Sequence, residues 1–398
     1  MLLASSAERS IHLFDAAGCP RERSAMRSVE LKIEDVAFGG KGVARDEGKA
    51  IFVPFTIDGE QVTAKIVREK KQFAEAELIE LLESSPNRVA PECPYFGRCG
   101  GCAYQHINYE HQLEIKFQQV RDALQRIGKL KDVPMRPIVP SPLPYAYRNR
   151  ITVHAEDGVI GFYRRDEHRL IDIERCPIAA DGVNRALAEL RARRVRDGHY
   201  TLRASAGLRV FSQTNDAIMT ALRDLISQLV PDRQELLIDA YCGVGFFAKA
   251  LLDKFDRIVG IDWDRFAIAA ARKNATAKET YIAGDIEEEL RRILEQMSGV
   301  EAAVSAAKQY RIAGDTPATT RSTTVIVDPP ASGLSAETRR VILDSPPRTM
   351  IYVSCNPPTL ARDLAELRQA FQIESVTPLD MFPQTAEIEV VVHLRTSL

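Results

Sequence analysis

A chain of 398 residues, with 45% hydrophobic and 27% charged side chains, has room for two or three domains with cores of their own. A formal charge of −2 excludes a uniformly basic nucleic-acid binder, so any phosphate-seeking surface must be local. No apolar run approaches the ~18 residues of a membrane span, and Glu8 and Arg9 interrupt the opening Met1-Leu-Leu-Ala too soon for a signal-peptide core, so the sequence reads as cytoplasmic with no membrane partner.

Residues 1–25 lack periodicity and read as a disordered tail. From Ser28 to Glu83 the pattern is all β. Val29-Glu-Leu-Lys-Ile-Glu-Asp-Val alternates, Phe38-Gly-Gly-Lys-Gly is a glycine-rich turn, and Ala50-Ile-Phe-Val-Pro-Phe is a strand. Asp58-Gly59 signals a hairpin into Glu60-Gln-Val-Thr-Ala-Lys-Ile-Val, and Phe73-Ala-Glu-Ala-Glu-Leu-Ile-Glu closes a fifth strand. Five short strands in this span predict a small closed barrel of the OB type. Arg45, Lys49, Lys65, Arg68, Lys70 and Lys71 could meet phosphates there, or form an ordinary solvated surface. The glycine turn, the Ile51-Phe-Val-Pro-Phe strand and the Gly59-Glu60 turn resemble the TRAM domain, an RNA-binding module.

Next comes Cys93-Pro-Tyr-Phe-Gly-Arg-Cys99-Gly-Gly-Cys102, three of the chain's seven cysteines within ten residues. In a chain without an export signal such crowding argues for metal rather than disulfides. Cys176 is the other candidate ligand before the C-terminal half. Four thiolates suit a tetrahedral zinc or a [4Fe–4S] cluster, and three clustered ligands with one distant favour the cluster. Gln105–Ile127 predicts an amphipathic helix with Leu113, Phe117, Val120 and Leu124 on its apolar face. Pro134–Pro144 reads as a proline-rich linker. Tyr147–His154 and Val159–Arg165 predict antiparallel strands whose Arg148, Arg150, Arg164 and Arg165 could contact phosphate, and Asn184–Arg196 predicts a helix.

The C-terminal half begins near Thr201. Glu235-Leu-Leu-Ile-Asp-Ala-Tyr-Cys-Gly-Val-Gly is strand and glycine loop, and Arg257-Ile-Val-Gly-Ile-Asp262 is a second strand ending in a carboxylate. An acid at the tip of strand two, ~20 residues after a glycine loop, is nucleotide-cofactor geometry. The loop lacks the third glycine of the dinucleotide fingerprint, which favours S-adenosylmethionine, with Asp262 toward the ribose and Gly284-Asp285 toward the adenine. Thr323–Val327 delivers Asp328-Pro-Pro to the same edge, and residues 298–322 read as an insertion. Met350-Ile-Tyr-Val is a buried strand that stops at Ser354-Cys355-Asn356, and Thr359 is positioned to cap the helix that follows. Cys355 thus sits at a sheet edge near a helix N-terminus, whose dipole is expected to lower the thiol pKa. Asp-Pro-Pro also occurs in amino-group methyltransferases, followed there by a stacking aromatic. Here Ala331 follows, which favours attack on a ring carbon. Uracil C5 becomes nucleophilic once a thiolate adds to C6, and a base must then remove the C5 proton. Glu389, entering a strand among Val390, Val391 and Val392, is the candidate base.

These motifs together resemble the RNA 5-methyluridine methyltransferase family over roughly residues 28–398. The likeness is carried by the cysteine set, Phe211-Ser-Gln213-Thr-Asn, Asp239-Ala-Tyr-Cys-Gly-Val-Gly, Asp328-Pro-Pro, Ser354-Cys355-Asn-Pro and Asp380-Met-Phe-Pro-Gln-Thr. It departs at Ala331 and Glu387, where the family often has Arg and His. The resemblance implies a multidomain α/β protein. An OB-like TRAM barrel (26–84) would precede a central iron–sulfur α+β domain (85–200) and a Rossmann-like methyltransferase domain (201–398). It further implies that Gln213, Tyr241, Asp262, Asp285 and Asp328 contact S-adenosylmethionine. Cys355 would be the nucleophile, Glu389 the base, and Cys93, Cys99, Cys102 and Cys176 the ligands of a [4Fe–4S] cluster. A TRAM domain with a cluster looks more like the 23S ribosomal-RNA members than the tRNA members, acting as monomers. The rival expectations are a tRNA uracil-C5 methyltransferase, an RNA cytosine-C5 methyltransferase and a non-catalytic RNA-binding assembly factor.

Overall fold

The protein is described by a computed structural model covering residues 27–165, 167–204, 214–296 and 323–397. The 1–25 tail, Gln213 and the 298–322 insertion lie outside the described residues. Two compact units divide the chain. One holds the described residues up to Val36 with Lys41–Pro86, the other Ala37–Gly40 with the chain from Asn87 onward.

The first unit is built on strands β1 (Ser28–Lys32), β2 (Asp35–Ala37), β3 (Lys41–Asp46), β4 (Lys49–Pro54), β5 (Gln61–Glu69) and β6 (Phe73–Glu83). Their alternation sends Leu31, Val53, Val62, Ala64 and Ile66 into a single core. There are six strands rather than five, in the order β1-β5-β6-β4-β3-β2. Asp58-Gly59 does form a turn, with Gly59 at φ +86°, but it is not a hairpin. β4 pairs with β3 and, in parallel, with β6, while β5 pairs with β1 and β6. Thr56 Oγ1 donates to Val53 O, and Ile57 N donates to Glu60 Oε2, turning the chain across the sheet instead of back along β4.

The second unit opens with helix α1 (Tyr109–Arg126), capped by Asn108, whose Oδ1 accepts from His111 N at 2.8 Å. Its buried face is Gln112, Ile115, Lys116, Gln119, Val120, Ala123 and Leu124, rotated from the purely apolar stripe that periodicity predicts. Residues 134–144 are no free linker. Arg136 N donates to Val376 O, Val139 N to Pro378 O, and Asp380 N to Val139 O, so this segment runs alongside the sheet.

Strands β7 (Arg150–Glu156), β8 (Val159–Tyr163), β9 (Leu170–Asp172) and β10 (Gly198–Arg203) form a second sheet in the order β10-β7-β8-β9. Helix α2 (Asp181–Arg191), starting before the predicted Asn184, covers one face with Val183 and Leu187 against Ile151, Val153 and Ile160.

The third sheet comprises β11 (Gln234–Ala240), β12 (Phe255–Asp262), β13 (Glu279–Ala283), β14 (Thr323–Val327), β15 (Thr349–Ser354), β16 (Phe371–Leu379) and β17 (Glu389–Thr396). Its order is β13-β12-β11-β14-β15-β17-β16, with β17 antiparallel to both neighbours. Helices α3 (Asp216–Leu229), α4 (Phe246–Ala250) and α5 (Arg265–Lys273) pack on one face. Helices α6 (Ala336–Asp344) and α7 (Pro357–Leu367) pack with α1 on the other. Burial on both sides explains the near-continuous apolar strands: Leu236, Ile238 and Ala240 of β11 enter one core and Leu237 the other. Among the described residues no helix is long and apolar enough to cross a membrane.

Buried Asp363 on α7 accepts from Tyr352 Oη at 2.7 Å, Leu334 N at 2.8 Å and Arg339 Nη1 at 3.0 Å. It thereby ties the loop after Asp328-Pro-Pro to β15. Replacing Asp363 with Ala takes the acceptor from the buried Tyr352 hydroxyl and Leu334 N–H and removes one of the two carboxylates that pair the Arg339 guanidinium, which keeps Glu366. We expect Asp363→Ala to lose about 3 kcal/mol in urea denaturation; a loss below about 1 kcal/mol would sink the assignment.

Candidate active site

Strand order reverses between β11 and β14, and in open α/β sheets that reversal opens a crevice at the carboxyl ends of the strands. The sequence loads this edge with acids. Asp239 is fully buried and accepts from Ala248 N at 3.1 Å through Oδ2. Burial, then the charges of Asp328 and Asp262, pushes its carboxyl up to about 8. The chain leaves β11 through Tyr241 (φ +64°), Gly243 (φ +55°) and Gly245 (φ +79°). A side chain at Gly245 is barred twice over, since a Cβ would lie 2.4 Å from Tyr281 Oη. Asp262 closes the loop, its Oδ2 accepting from Gly243 N and its Oδ1 from Asp264 N, both at 2.8 Å. Each oxygen keeps a lone pair for a further donor, which fits the two hydroxyls of a ribose. Asp285 accepts from Glu288 N at 3.0 Å through Oδ1, at the start of the helix over 286–296. Asp328 retains some accessible surface, but the surrounding protein pushes its carboxyl up to about 7.

At the end of β15, Ser354 pairs with Val390 of β17. The next step of that antiparallel register sets Cys355 across from Glu389. The helix after Cys355 begins three residues earlier than the sequence suggested. Asn356, not Thr359, is its cap, with Asn356 Oδ1 accepting from Thr359 N, and both prolines occupy the first turn. The expected drop in the thiol pKa does not occur. Burial, then the negative charges of Glu389 and Asp328, pushes Cys355 up to about 11, outweighing the helix end. Glu389 is buried, its Oε1 has no hydrogen-bond partner among the described residues, and burial followed by Asp328 and Glu387 holds its carboxyl well above the usual range.

The loop into Glu389 is gripped by α1. Lys116 Nζ donates to Asp380 Oδ1 at 2.5 Å and to Phe382 O at 2.9 Å, and neither ion-pair side chain has accessible surface. One turn earlier, Gln112 and Gln384 exchange bonds: Gln112 Nε2 donates to Gln384 Oε1 at 3.0 Å, and Gln384 N to Gln112 Oε1 at 3.1 Å. Tyr147 Oη donates to Pro383 O at 3.0 Å. Sequence reasoning missed this clamp. Its one signal was the polar set Gln112, Lys116 and Gln119 interrupting an otherwise apolar helix face.

Cys93, Cys99, Cys102 and Cys176 line one cavity of about 560 Å³ in the second unit. Burial, then mutual repulsion, pushes Cys102 up to about 12, and burial pushes Cys176 up to about 11. Among the described residues no group of three or more His, Cys, Asp or Glu side chains is placed to hold a metal ion.

The tRNA (Uracil-5-)-methyltransferase family model matches residues 188–397, and the TRAM domain model matches residues 26–79. The chain belongs to the tRNA (uracil-5-)-methyltransferase family. It is accordingly an RNA methyltransferase whose methyl donor is S-adenosylmethionine. An uncharacterized RNA methyltransferase of Protochlamydia amoebophila is 30% identical, covering 92% of this chain and 97% of its own length. Another, from Bdellovibrio bacteriovorus, is 31% identical over 92% of this chain and 95% of its own. The fold is shared with the tRNA (uracil-54, C5)-methyltransferase of Pyrococcus abyssi, solved with S-adenosyl-L-homocysteine. That likeness has a TM-score of 0.64 at 24% identity over 92% of this chain and 100% of that one.

Breaking the buried Lys116–Asp380 pair leaves an uncompensated carboxylate under the loop. Lys116→Met is expected to cost about 3–5 kcal/mol and to lower methylation, whereas Lys116→Met with Asp380→Leu should recover most of the stability but not the activity. Calorimetry and methyl transfer to bulk RNA separate the two effects. A single variant with wild-type stability would refute the clamp.

Proposed function

We propose that the protein forms 5-methyluridine in RNA, with Cys355 as nucleophile and Glu389 as base. This reading is supported by the β15–β17 register, whose last pair, Ser354 with Val390, stands next to a thiol on one strand and, on the other, a buried carboxylate with an oxygen that has no partner among the described residues. Cys355 Sγ adds to uracil C6 as the thiolate, making C5 nucleophilic. Glu389 then takes the C5 proton, and elimination returns the thiolate. S-adenosylmethionine, when bound, supplies the methyl group and a positive charge. Tyr241, Asp262, Asp285 and Asp328 are the described residues that would hold it, with Asp262 toward the ribose and Asp328 at the reacting end. Gln213 joins them by the family resemblance alone. The target uridine must leave its stack to meet Cys355.

The four-thiol cavity supports a [4Fe–4S] cluster in preference to zinc. Four neighbouring thiols held protonated by burial and mutual repulsion are stabilised as thiolates by a multivalent cation. With four protein ligands such a cluster is structural. The TRAM match together with this cavity supports 23S ribosomal RNA as the substrate. A tRNA substrate is the second reading, favoured by the name of the matching family and by the tRNA substrate of the Pyrococcus enzyme.

Cys355→Ala is expected to abolish 5-methyluridine formation while cofactor still changes the fluorescence of Trp263, the chain's single tryptophan, which adjoins Asp262. Glu389→Gln should accumulate a covalent protein–RNA adduct on denaturing gels. Full activity of the first variant, or no adduct with the second, assigns the roles elsewhere. Mass spectrometry of ribosomal RNA and tRNA treated in parallel decides the substrate.

Both groups act deprotonated, and both are pushed up in the unliganded protein. Ionisation therefore gains as pH rises, and single-turnover methylation should climb over about pH 6.5 to 9 without an acid-side optimum. A flat profile would contradict the elevated Cys355 and Glu389.

A further inference from the structure

Methylation of uracil C5 releases a proton: the C5–H bond gives way to C5–CH3 while the sulfonium becomes a neutral thioether. One proton must therefore leave the site in every turnover. Glu389 is badly placed to give it to water, being only 4% exposed. Two residues earlier, Glu387 is exposed.

Strand alternation sets these two carboxylates on one side of the chain. Ile388, Val390, Val392 and Leu394 enter one core and Val391 the other, so the alternation of β17 runs back through Ile388. Glu387 thus lies on the Glu389 side, ~6.7 Å back along the chain. Its backbone is anchored in the clamped loop. Glu387 N donates to Thr385 Oγ1 at 3.2 Å, and Thr385 Oγ1 donates to Phe382 O at 2.9 Å, the same carbonyl that accepts from Lys116 Nζ. The Glu387 charge reaches the buried groups around it. It helps push up Cys355 and Glu389, and it acts on Lys116 of α1 and on Tyr147 ahead of β7. Asp328, at the end of β14, is the other acid facing the pair, and Asp380 is paired with Lys116.

We propose that Glu387 is a proton relay, carrying the C5 proton from buried Glu389 out to solvent. The C5–H electron pair re-forms the ring double bond as Cys355 Sγ leaves C6, and the proton passes to a Glu389 oxygen. It then crosses to Glu387 through one bridging water and leaves to bulk solvent. Both carboxylates end as they began, so uracil and sulfonium enter, and 5-methyluracil, thioether and one proton leave. The family often has His at this position, which is also a proton carrier.

The proposal rests on Glu389 being the base. It is tested on the full-length protein, equilibrated with S-adenosylmethionine at about pH 8 and mixed with excess transcript, ribosomal RNA or tRNA, whichever the wild type methylates. Glu387→Gln is expected to complete its first turnover at the wild-type rate. Below about pH 7 that first turnover should be faster than wild type, because loss of the Glu387 charge favours ionised Cys355 and Glu389. Later turnovers should be about tenfold slower, since the first proton stays in the site. Imidazole should speed this slow phase in the variant and not in wild type, and Glu387→His should restore it. The cofactor response of Trp263 reports that each variant is folded. Later turnovers within twofold of wild type and insensitive to imidazole overturn the relay, while a Glu389→Gln protein that still stalls as an adduct leaves the base in place. A tenfold loss already in the first turnover, unmoved by imidazole, marks a structural role and also overturns it. Normal turnover by Glu389→Gln overturns the base and the relay together.

Discussion

The buried pair of Lys116 and Asp380 is the constraint on which the active site depends. It joins a helix near the start of the second unit to a loop 264 residues later, without solvent at either charge. A lone buried charge at either position costs several kcal/mol, so the two must meet, and their meeting fixes where the loop enters β17. The reciprocal amide pair of Gln112 and Gln384 removes the remaining rotation. Glu389 is then the first residue of β17, and the antiparallel register does the rest by setting it across from Cys355.

The edge so assembled is electrostatically unsatisfied. Asp239, Asp262, Asp328 and Glu389 converge on strand ends with Cys355 among them, and burial raises three of the carboxyls as well as the thiol. Such a site favours a ligand that brings positive charge and hydroxyl donors, and disfavours an anionic phosphate. This agrees with a glycine loop that lacks the phosphate-binding third glycine and with the sulfonium cofactor of the family. Positive charge gathers instead on the central sheet, where Arg148, Arg150 and Arg203 crowd together. A net charge near zero thus conceals two local fields of opposite sign.

Much of this was legible beforehand because it depends on short-range chemistry. Apolar runs ending at Asp239, Asp262, Asp328 and Cys355 announce buried parallel strands whose tips carry function, since both faces of each strand must be apolar while the loop beyond need not be. The crowded cysteines, the glycine loop and the acid at the start of the final valine run are likewise local patterns. The Asp58-Gly59 turn shows where local reading stops. Its turn chemistry was right, but which strand β5 pairs with is set by the core of the whole sheet, not by the turn.

The sequence by itself determined the strand-and-loop units, the ligand-type residues at their ends and the family to which they belong, because these follow from hydrophobic period and backbone stereochemistry within a few residues. Only the tertiary structure decided three things: that polar Gln112, Lys116 and Gln119 face inward, that Asn356 rather than Thr359 caps the helix after Cys355, and that the Cys355 thiol is raised rather than lowered. Each depends on charges or partners brought together from distant parts of the chain. Coulomb and desolvation energies follow distance in space, which separation along the sequence does not encode.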